Sequence, residues 1–149
     1  MAKVRVVMIA VSVALLLGFA PAPLPKQQRQ REPEPDLTGT WEIVLWEDDG
    51  VRMWKFEERL QVEMTKDSFA LVMKGRRREL DSYVLRLEPR RSPPAFTWSD
   101  GHRTVYVGSY RLHGGELTMI LTSGDRLEAR PTDFDGKPEL RFVLRRVGR

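Results

Sequence analysis

Apolar and polar residues alternate with a period of two along most of residues 37–149, and this alternation predicts β-strands. The first segment places Trp41, Ile43 and Leu45 on one face. Seven more segments show the same alternation, at residues 60–65, 69–73, 83–88, 96–98, 104–112, 117–121 and 140–144. Residues 53–59 are compatible with a helical turn. The pattern therefore predicts an all-β domain of about eight short strands.

The connections between several predicted strands are short. Hairpin turn signals recur at Asp49–Gly50, at Asp100–Gly101 and at Gly114–Gly115, and none of these connections has room for a crossover helix. Neighbouring strands should therefore run antiparallel. Since about eight strands suffice to close a sheet and remove its edges, we predict a small antiparallel β-barrel.

The assignment of faces predicts one contact at an end of the barrel. Arg146 shares its face with the apolar residues of the last strand, and Trp41 lies near the start of the first. If these strands pair antiparallel, the Arg146 guanidinium lies against the Trp41 ring in a cation–π contact worth about 0.5–2 kcal/mol. Gly39, Trp41 and Arg146 would then close that end. In the alternative, Arg146 lies past the last turn and is solvated, as most arginines are.

Large apolar side chains dominate the predicted interior. Eight of them are candidate ligand-binding residues: Met64, Phe69, Leu71, Met73, Leu85, Leu117, Met119 and Leu121. Adaptable methionine and aromatic walls suit an apolar ligand, but side chains of this size can also fill a small barrel. Four other apolar residues are expected to point outward and form a contact surface: Val44, Trp46, Val72 and Tyr110.

The N-terminal residues carry the pattern of a secretory signal. Basic residues precede an uncharged apolar stretch over residues 6–20, which is short for a membrane span of ~20 residues. Prolines around the small-residue site disfavour cleavage, so residues 1–22 are a signal peptide or an uncleaved signal anchor. Residues 23–36 form a Pro/Gln-rich linker, and residues 37–149 form the barrel domain. We expect export to the periplasm, the cell envelope or the extracellular space.

Composition and charge narrow the choice of partners. The chain has no cysteine, which excludes disulfide bonds and a lipid-acylated cysteine anchor. The net charge is +4, but residues 1–36 contribute five basic and three acidic side chains, so the domain itself is close to neutral. Nucleic acid is therefore not an expected partner. Membrane contact is expected only through the N-terminal segment, if that segment is retained.

The sequence contains no recognisable catalytic constellation, so it predicts neither enzyme activity nor a cofactor. His102 and His113 with Asp100 and Glu116 would be a conceivable metal site, but both histidines lie at predicted turns, where solvated side chains are the simpler interpretation. No metal site is predicted.

Two basic runs lie beside predicted turns, at residues 76–78 and 90–91. The ordinary interpretation of such a run is a solvated loop. The alternative is a site that binds phosphate or an acidic envelope polymer.

Five sequence blocks, in order, carry a resemblance to a known family. They are LTGTW at 37–41, LEP at 87–89 with a later proline at 93, GSYRLHG at 108–114, RPTDF at 130–134 and VLRR at 143–146. Together they resemble an uncharacterised family of lipocalin-like domains from Planctomycetes, over nearly all of residues 37–147. The resemblance implies an eight-stranded lipocalin-like (calycin-like) barrel, and it brings no established catalytic residues.

Three functions follow from these predictions. The first is an exported lipocalin-like domain that binds a small hydrophobic molecule or lipid. The alternative is a cell-envelope module with a filled barrel, which contacts a protein or polymer through its outer surface. The third, which has the least support, is an envelope hydrolase. The volume of the barrel interior distinguishes the first from the second.

Overall fold

The structure, a computed structural model, describes residues 34–76 and 78–148. Its elements in chain order are β1 (Gly39–Asp48), β2 (Val51–Arg52), α1 (Trp54–Arg59), β3 (Leu60–Met64), β4 (Ser68–Met73), β5 (Glu79–Glu88), β6 (Ala95–Ser99), β7 (Thr104–His113), β8 (Glu116–Ser123), a 3₁₀ turn (Leu127–Ala129) and β9 (Leu140–Arg146). The predicted signal segment, residues 1–22, and most of the linker lie outside the described residues. The eight predicted strands and the predicted helical turn are all present.

The strands form one antiparallel sheet in the order β2-β1-β3-β4-β5-β6-β7-β8-β9, and β1 also pairs with β9. This pairing closes eight strands into a barrel, with the two-residue β2 as an extension beside β1. The predicted all-β, lipocalin-like barrel is confirmed. The closure leaves each barrel strand hydrogen-bonded on both sides, so no long edge remains for pairing with another chain.

The two ends of the barrel differ in what covers them. One end carries residues 34–38, the short β3–β4 and β7–β8 turns, the β5–β6 connection and the C-terminus, and we call it the closed end. The other carries α1, the β4–β5 hairpin, the β6–β7 turn and the β8–β9 connection over residues 124–139, and we call it the helix end.

A β-bulge in β1 exchanges two residues between the faces of the sheet. The register of β1 against β9 shifts between Ile43 and Leu45, so that Leu45 pairs with Val143 while Trp46 pairs with Phe142. Trp46 packs against the hydrophobic core, and Leu45 does not. The prediction that Leu45 shares the inner face of Trp41 is therefore wrong, because a bulge adds one residue to one strand and reverses the alternation after it.

Part of the outer face of the barrel is also buried. Residues 127–129 contact β6 and β7, and the Ser109 Oγ donates a hydrogen bond of 2.6 Å to the Pro131 carbonyl oxygen. The buried outer-face residues of β6, β7 and β8 are Ala95, Val107, Ser109 and Ile120. The β8–β9 connection thus gives the sheet a second, smaller apolar layer outside the barrel.

The predicted outward contact surface is wrong in orientation at two of its four residues and in exposure at a third. Tyr110 belongs to the barrel core and is 1% exposed, and Trp46 packs against that core. Val72 does lie on the outer face, opposite Gln61, but it is only 3% exposed. Val44 is half-buried. These residues cannot form an exposed patch.

In the described ranges, none of the helices has the length and apolar character needed to cross a membrane.

Candidate functional site

The closed end is built around Trp41 and Arg146. Trp41 pairs with Arg146 across β1 and β9, and the guanidinium carbon lies 4.6 Å from the centroid of the indole ring. The same guanidinium donates to the carbonyl oxygens of Thr38, at 2.9 Å, and Asp36. The predicted cation–π contact is therefore present, and it fixes the backbone that precedes β1.

The N-terminal segment seals this end from below. The Trp41 indole donates a 3.0 Å hydrogen bond to the carbonyl oxygen of Leu37, whose side chain is buried in the core. Gly39 adopts φ +131°, and a Cβ there would lie 3.7 Å from the Arg146 guanidinium. Glycine is required here by its backbone conformation. The Trp41 indole and the Arg146 guanidinium are thus both occupied by contacts within the closed end.

The predicted ligand-binding residues lie in the barrel core. Seven of the eight are buried members of one hydrophobic cluster, and Met73 packs against its margin. Leu117, Met119 and Phe69 are fully buried. These side chains fill the deep part of the barrel, so that a ligand there would have to displace them.

The helix end carries a row of aromatic rings across the barrel, which we call the aromatic row: Tyr106, Tyr83, Trp98, Phe142, Trp46 and Phe56. Tyr83 stacks on Trp98 with centroids 5.2 Å apart. At the far side the Trp46 ring lies 5.0 Å from Phe142 and 5.3 Å from Phe56 of α1. Trp46, Tyr83 and Tyr106 are only half-buried, so this row is where the apolar interior reaches the surface.

Two indole N–H groups of the aromatic row have no hydrogen-bond partner among the described residues. The Nε1 atoms of Trp46 and Trp98 are buried, and neither finds a hydrogen-bond acceptor among the described residues. A buried donor that makes no hydrogen bond costs about 1–3 kcal/mol. Such groups are rare in folded proteins, and they are candidates for contact with a bound molecule.

Carboxylates surround the two tyrosines at the rim of this row. The Tyr83 hydroxyl donates a 2.6 Å hydrogen bond to Asp81. Burial raises the pKa of Tyr83, and Asp81 raises it further. Burial likewise raises the pKa of Tyr106, with further increases from the charges of Glu139 and Asp48. The negative charges of Asp81, Glu139 and Asp48 make the rim unfavourable for anions.

Glu57 holds α1 on the barrel. Its side chain is 7% exposed, and it accepts hydrogen bonds from the Trp46 backbone N–H at 2.9 Å and from the Arg52 guanidinium at 2.9–3.2 Å. Burial alone would raise the pKa of Glu57, but these hydrogen bonds outweigh it and the pKa is lowered. The ionised carboxylate thus ties the helix directly beside the Trp46 ring.

The sequence pattern missed both Trp46 and Glu57 as site residues. The alternation places Trp46 on the outer face because no local signal marks the bulge. Glu57 and Arg52 are five residues apart, which is not a helical pairing distance, and their contact depends on the turn between β2 and α1. The predicted helical turn over residues 53–59 is the sequence feature that indicates a segment covering this end of the barrel.

Two solvent-exposed clefts adjoin the helix end. One of about 370 Å³ is lined by Asp49, Gly50, Lys137, Pro138 and Glu139, and one of about 310 Å³ by Arg103, Thr104, Val105, Gly124 and Asp125. Glu139 is occupied by hydrogen bonds from Thr122 and Ser123, which lower its pKa. Both clefts are open to solvent and lie at the helix end beside the aromatic row.

The conceivable metal ligands are far apart along the fold. His102 lies in the β6–β7 turn at the helix end, where its backbone N–H binds Asp100, whereas His113 lies at the closed end opposite Glu116. Within residues 34–76 and 78–148, no group of three or more His, Asp or Glu side chains is arranged to hold a metal ion.

Comparison with known proteins adds no further constraint: no family model, curated protein or solved structure matches this chain.

Proposed function

We propose that this protein is an exported, lipocalin-like binding domain that holds a small, mostly apolar molecule against the aromatic row at the helix end. The barrel fold supports a binding function, since closed eight-stranded barrels can take one small ligand at an end. The five sequence blocks that resemble lipocalin-like domains of Planctomycetes support the same proposal. The secretory pattern of residues 1–22 supports export.

The observation that carries this proposal is the pair of buried, unpartnered indole N–H groups of Trp46 and Trp98. They belong to a half-buried aromatic surface, whereas the deeper interior is filled. A ligand with an apolar body and a hydrogen-bond acceptor would bury its apolar part on these rings and satisfy one donor. The acidic rim around Tyr83 and Tyr106 favours an uncharged acceptor, such as an ester or ketone, over a carboxylate.

The test is a fluorescence titration of the full chain with two ligands of equal length, a long-chain ketone and the corresponding alkane. We expect the ketone to bind about tenfold more tightly, because one added hydrogen bond is worth about 1.4 kcal/mol. Trp98→Phe keeps an aromatic ring, though a smaller one, and removes the donor, so it should lower the ketone affinity more than the alkane affinity and thereby weaken the preference for the ketone.

Tyr110→Phe is the matched control. The Tyr110 hydroxyl is also buried without a partner among the described residues, but it lies towards the closed end, on β7 opposite Met119. Its removal should leave both affinities unchanged. Equal binding of ketone and alkane by the wild type, or no response to either, would contradict the proposal.

The alternative function, a cell-envelope interaction module, has less support. Its predicted surface of Val44, Trp46, Val72 and Tyr110 is not exposed. The filled deep interior is compatible with it, but any contact surface has to be found elsewhere on the barrel.

A further inference from the structure

An exposed apolar surface lies on the segment that covers the helix end. Val51, Trp54 and Phe56 are 63%, 54% and 44% exposed, and they occur within six residues of each other on β2 and α1. Other exposed large apolar residues are dispersed over β5, the end of β7 and the C-terminus: Leu80, Val84, Leu112 and Val147. A concentration of this kind indicates a contact site.

Basic side chains surround these apolar residues. Lys55 and Arg59 are exposed on α1, and Lys74, Arg76 and Arg78 are exposed on the β4–β5 hairpin. Two hydrogen bonds hold the hairpin beside the helix: the Lys74 backbone N–H donates to the Arg59 carbonyl oxygen at 2.9 Å, and the Lys74 Nζ donates to that of Glu57 at 3.3 Å. The two elements therefore form one continuous surface.

The acidic residues of this surface do not balance its positive charge. Glu57 is paired with Arg52. The remaining acids on α1 and the hairpin are Glu58 and Glu79, both exposed, against the five basic side chains. Two further exposed acids, Asp48 and Asp49, lie beside Val51, so the positive excess is concentrated on α1 and the hairpin. The surface thus combines aromatic residues with a positive excess, although the domain as a whole is nearly neutral.

We propose that this surface docks on an anionic lipid bilayer, with Trp54 and Phe56 at the level of the headgroups. Tryptophan and other aromatic side chains favour the membrane interface, and each basic residue near an anionic surface adds about 1 kcal/mol of attraction. The charge and the aromatic content together select an anionic bilayer over a neutral apolar partner. Docking would place the aromatic row beside the lipid; this last consequence rests on the proposed ligand site, whereas docking itself does not.

The experiment measures quenching of Trp54 fluorescence by brominated acyl chains in the full-length protein. Vesicles contain equal parts of phosphatidylglycerol and brominated phosphatidylcholine, or brominated phosphatidylcholine alone. The other tryptophans, Trp41, Trp46 and Trp98, lie in or against the barrel core. Subtraction of the signal of Trp54→Phe isolates Trp54. This reports contact of the helix end with lipid, whether or not the N-terminal segment also binds the vesicle.

We expect quenching of Trp54 on the anionic vesicles and little on the zwitterionic ones. Arg76→Gln with Arg78→Gln should lower the docking equilibrium constant by about 30-fold, which corresponds to about 1 kcal/mol for each charge. The matched control is Arg90→Gln with Arg91→Gln, which removes the same charge from exposed residues of the β5–β6 connection at the closed end.

Three outcomes would overturn the proposal. They are an absence of Trp54 quenching on anionic vesicles, equal quenching on both vesicle types, and equal losses for the two double variants. Burial of Trp54 through self-association at increasing protein concentration without lipid would assign the surface to a second copy instead. Ligand titration without vesicles tests the proposed function separately, so the two can fail independently.

Discussion

At the residue scale, Arg146 makes more contacts than its place near the C-terminus suggests. Its guanidinium covers the Trp41 ring and binds two backbone carbonyl oxygens of the N-terminal segment. A planar guanidinium can make both kinds of contact together, whereas an ammonium group cannot donate in the same fork. Arg146 therefore links the first and last parts of the barrel domain.

Arg146→Lys should destabilise the protein by about 2 kcal/mol, because it removes charge-assisted hydrogen bonds and weakens the cation–π contact. Urea unfolding measures this as a lower midpoint at constant slope. Arg145→Lys is the control, since Arg145 is exposed and its ion pair with Glu116 is long, at 3.6 Å. Its effect should stay within about 0.5 kcal/mol. Equal effects of both substitutions would contradict the assigned role of Arg146.

Position 108 on β7 has no room for a side chain, which is why glycine is required there. A Cβ there would lie 2.4 Å from the Ile120 carbonyl oxygen and 2.5 Å from the Phe96 ring. Phe96 is buried in the core and pairs with Gly108 across the sheet. The absence of a side chain therefore lets the ring lie directly over the strand.

Gly108→Ala should destabilise the fold by about 3 kcal/mol, because the clash includes a backbone atom that cannot move away cheaply. Gly148→Ala, in open space near the C-terminus, should be neutral. Phe96→Leu in the Gly108→Ala background should recover part of the loss, and a double-mutant cycle by urea unfolding measures that coupling. Additive effects would argue against a direct clash with the ring.

At the scale of elements, the sequence was sufficient for strand positions but not for every face. Along β9 the alternation is uninterrupted, and Phe142, Leu144 and Arg146 all lie where it placed them. In β1 the bulge reverses the alternation, and nothing in the residue types marks it. On β7 both faces are buried, the inner by the core and the outer by the β8–β9 connection, so polarity could not assign Tyr110.

The helix α1 has only six residues and depends on its attachment to the barrel. An isolated helix of this length is unstable in water, because the free-energy cost of nucleating a helix exceeds the stabilisation gained from a single turn. Its attachment includes the Glu57 carboxylate, the contact between the Phe56 and Trp46 rings, and backbone hydrogen bonds from Met53 to Trp46 and from Lys74 to Arg59. Among these groups, the ionised Glu57 carboxylate is the one whose contribution depends on pH.

Acidification should release α1. The pKa of Glu57 is lower in the folded protein than the ~4.3 of an unfolded chain, so its stabilising contribution is complete above that value and is lost as the pH falls through the folded pKa. Hydrogen exchange of residues 53–59 as a function of pH measures the release. Glu57→Gln should expose this segment already at neutral pH and remove most of the pH dependence.

Glu58→Gln is the control for this prediction, because Glu58 is the exposed neighbour of Glu57 on the same helix. It should keep the wild-type pH profile. Glu139 also has a lowered pKa and contributes to the acid sensitivity of the β8–β9 connection, which is why the measurement is restricted to residues 53–59. An unchanged profile in Glu57→Gln would exclude Glu57 as the attachment.

At the scale of the whole molecule, the sequence predicted that the sheet closes into a barrel, but it did not predict how side chains fill the barrel interior. The number of strands predicted a closed barrel, and the parity of Trp41 and Arg146 predicted their contact on the condition that the first and last strands pair. Whether eight large interior residues leave a cavity depends on how their volumes and rotamers fit together, which the order of residues does not reveal. The aromatic row and its unpartnered indole groups result from that packing, and so they emerged only from the structure.

The distribution of contacts predicts a gradient of local stability along the barrel. At the closed end, backbone pairing, the buried Trp41 and the Arg146 hydrogen bonds all reinforce one another. At the helix end, α1 carries two exposed aromatic residues and is joined to β1 by few hydrogen bonds. Segments with few buried contacts open locally, with less free energy than global unfolding requires.

Native-state hydrogen exchange across a urea series should therefore separate two groups of amides. Those of residues 41–43 and 117–121 should exchange only through global unfolding, with a strong urea dependence. Those of residues 53–59 should exchange through a local opening that is nearly independent of urea, because it exposes little surface. Glu57→Gln should speed only the second group, while Arg146→Lys should lower the global free energy and speed the first. A single opening free energy for both groups of amides would mean that α1 unfolds only together with the barrel. An independent movement of α1 over the aromatic row would then be ruled out.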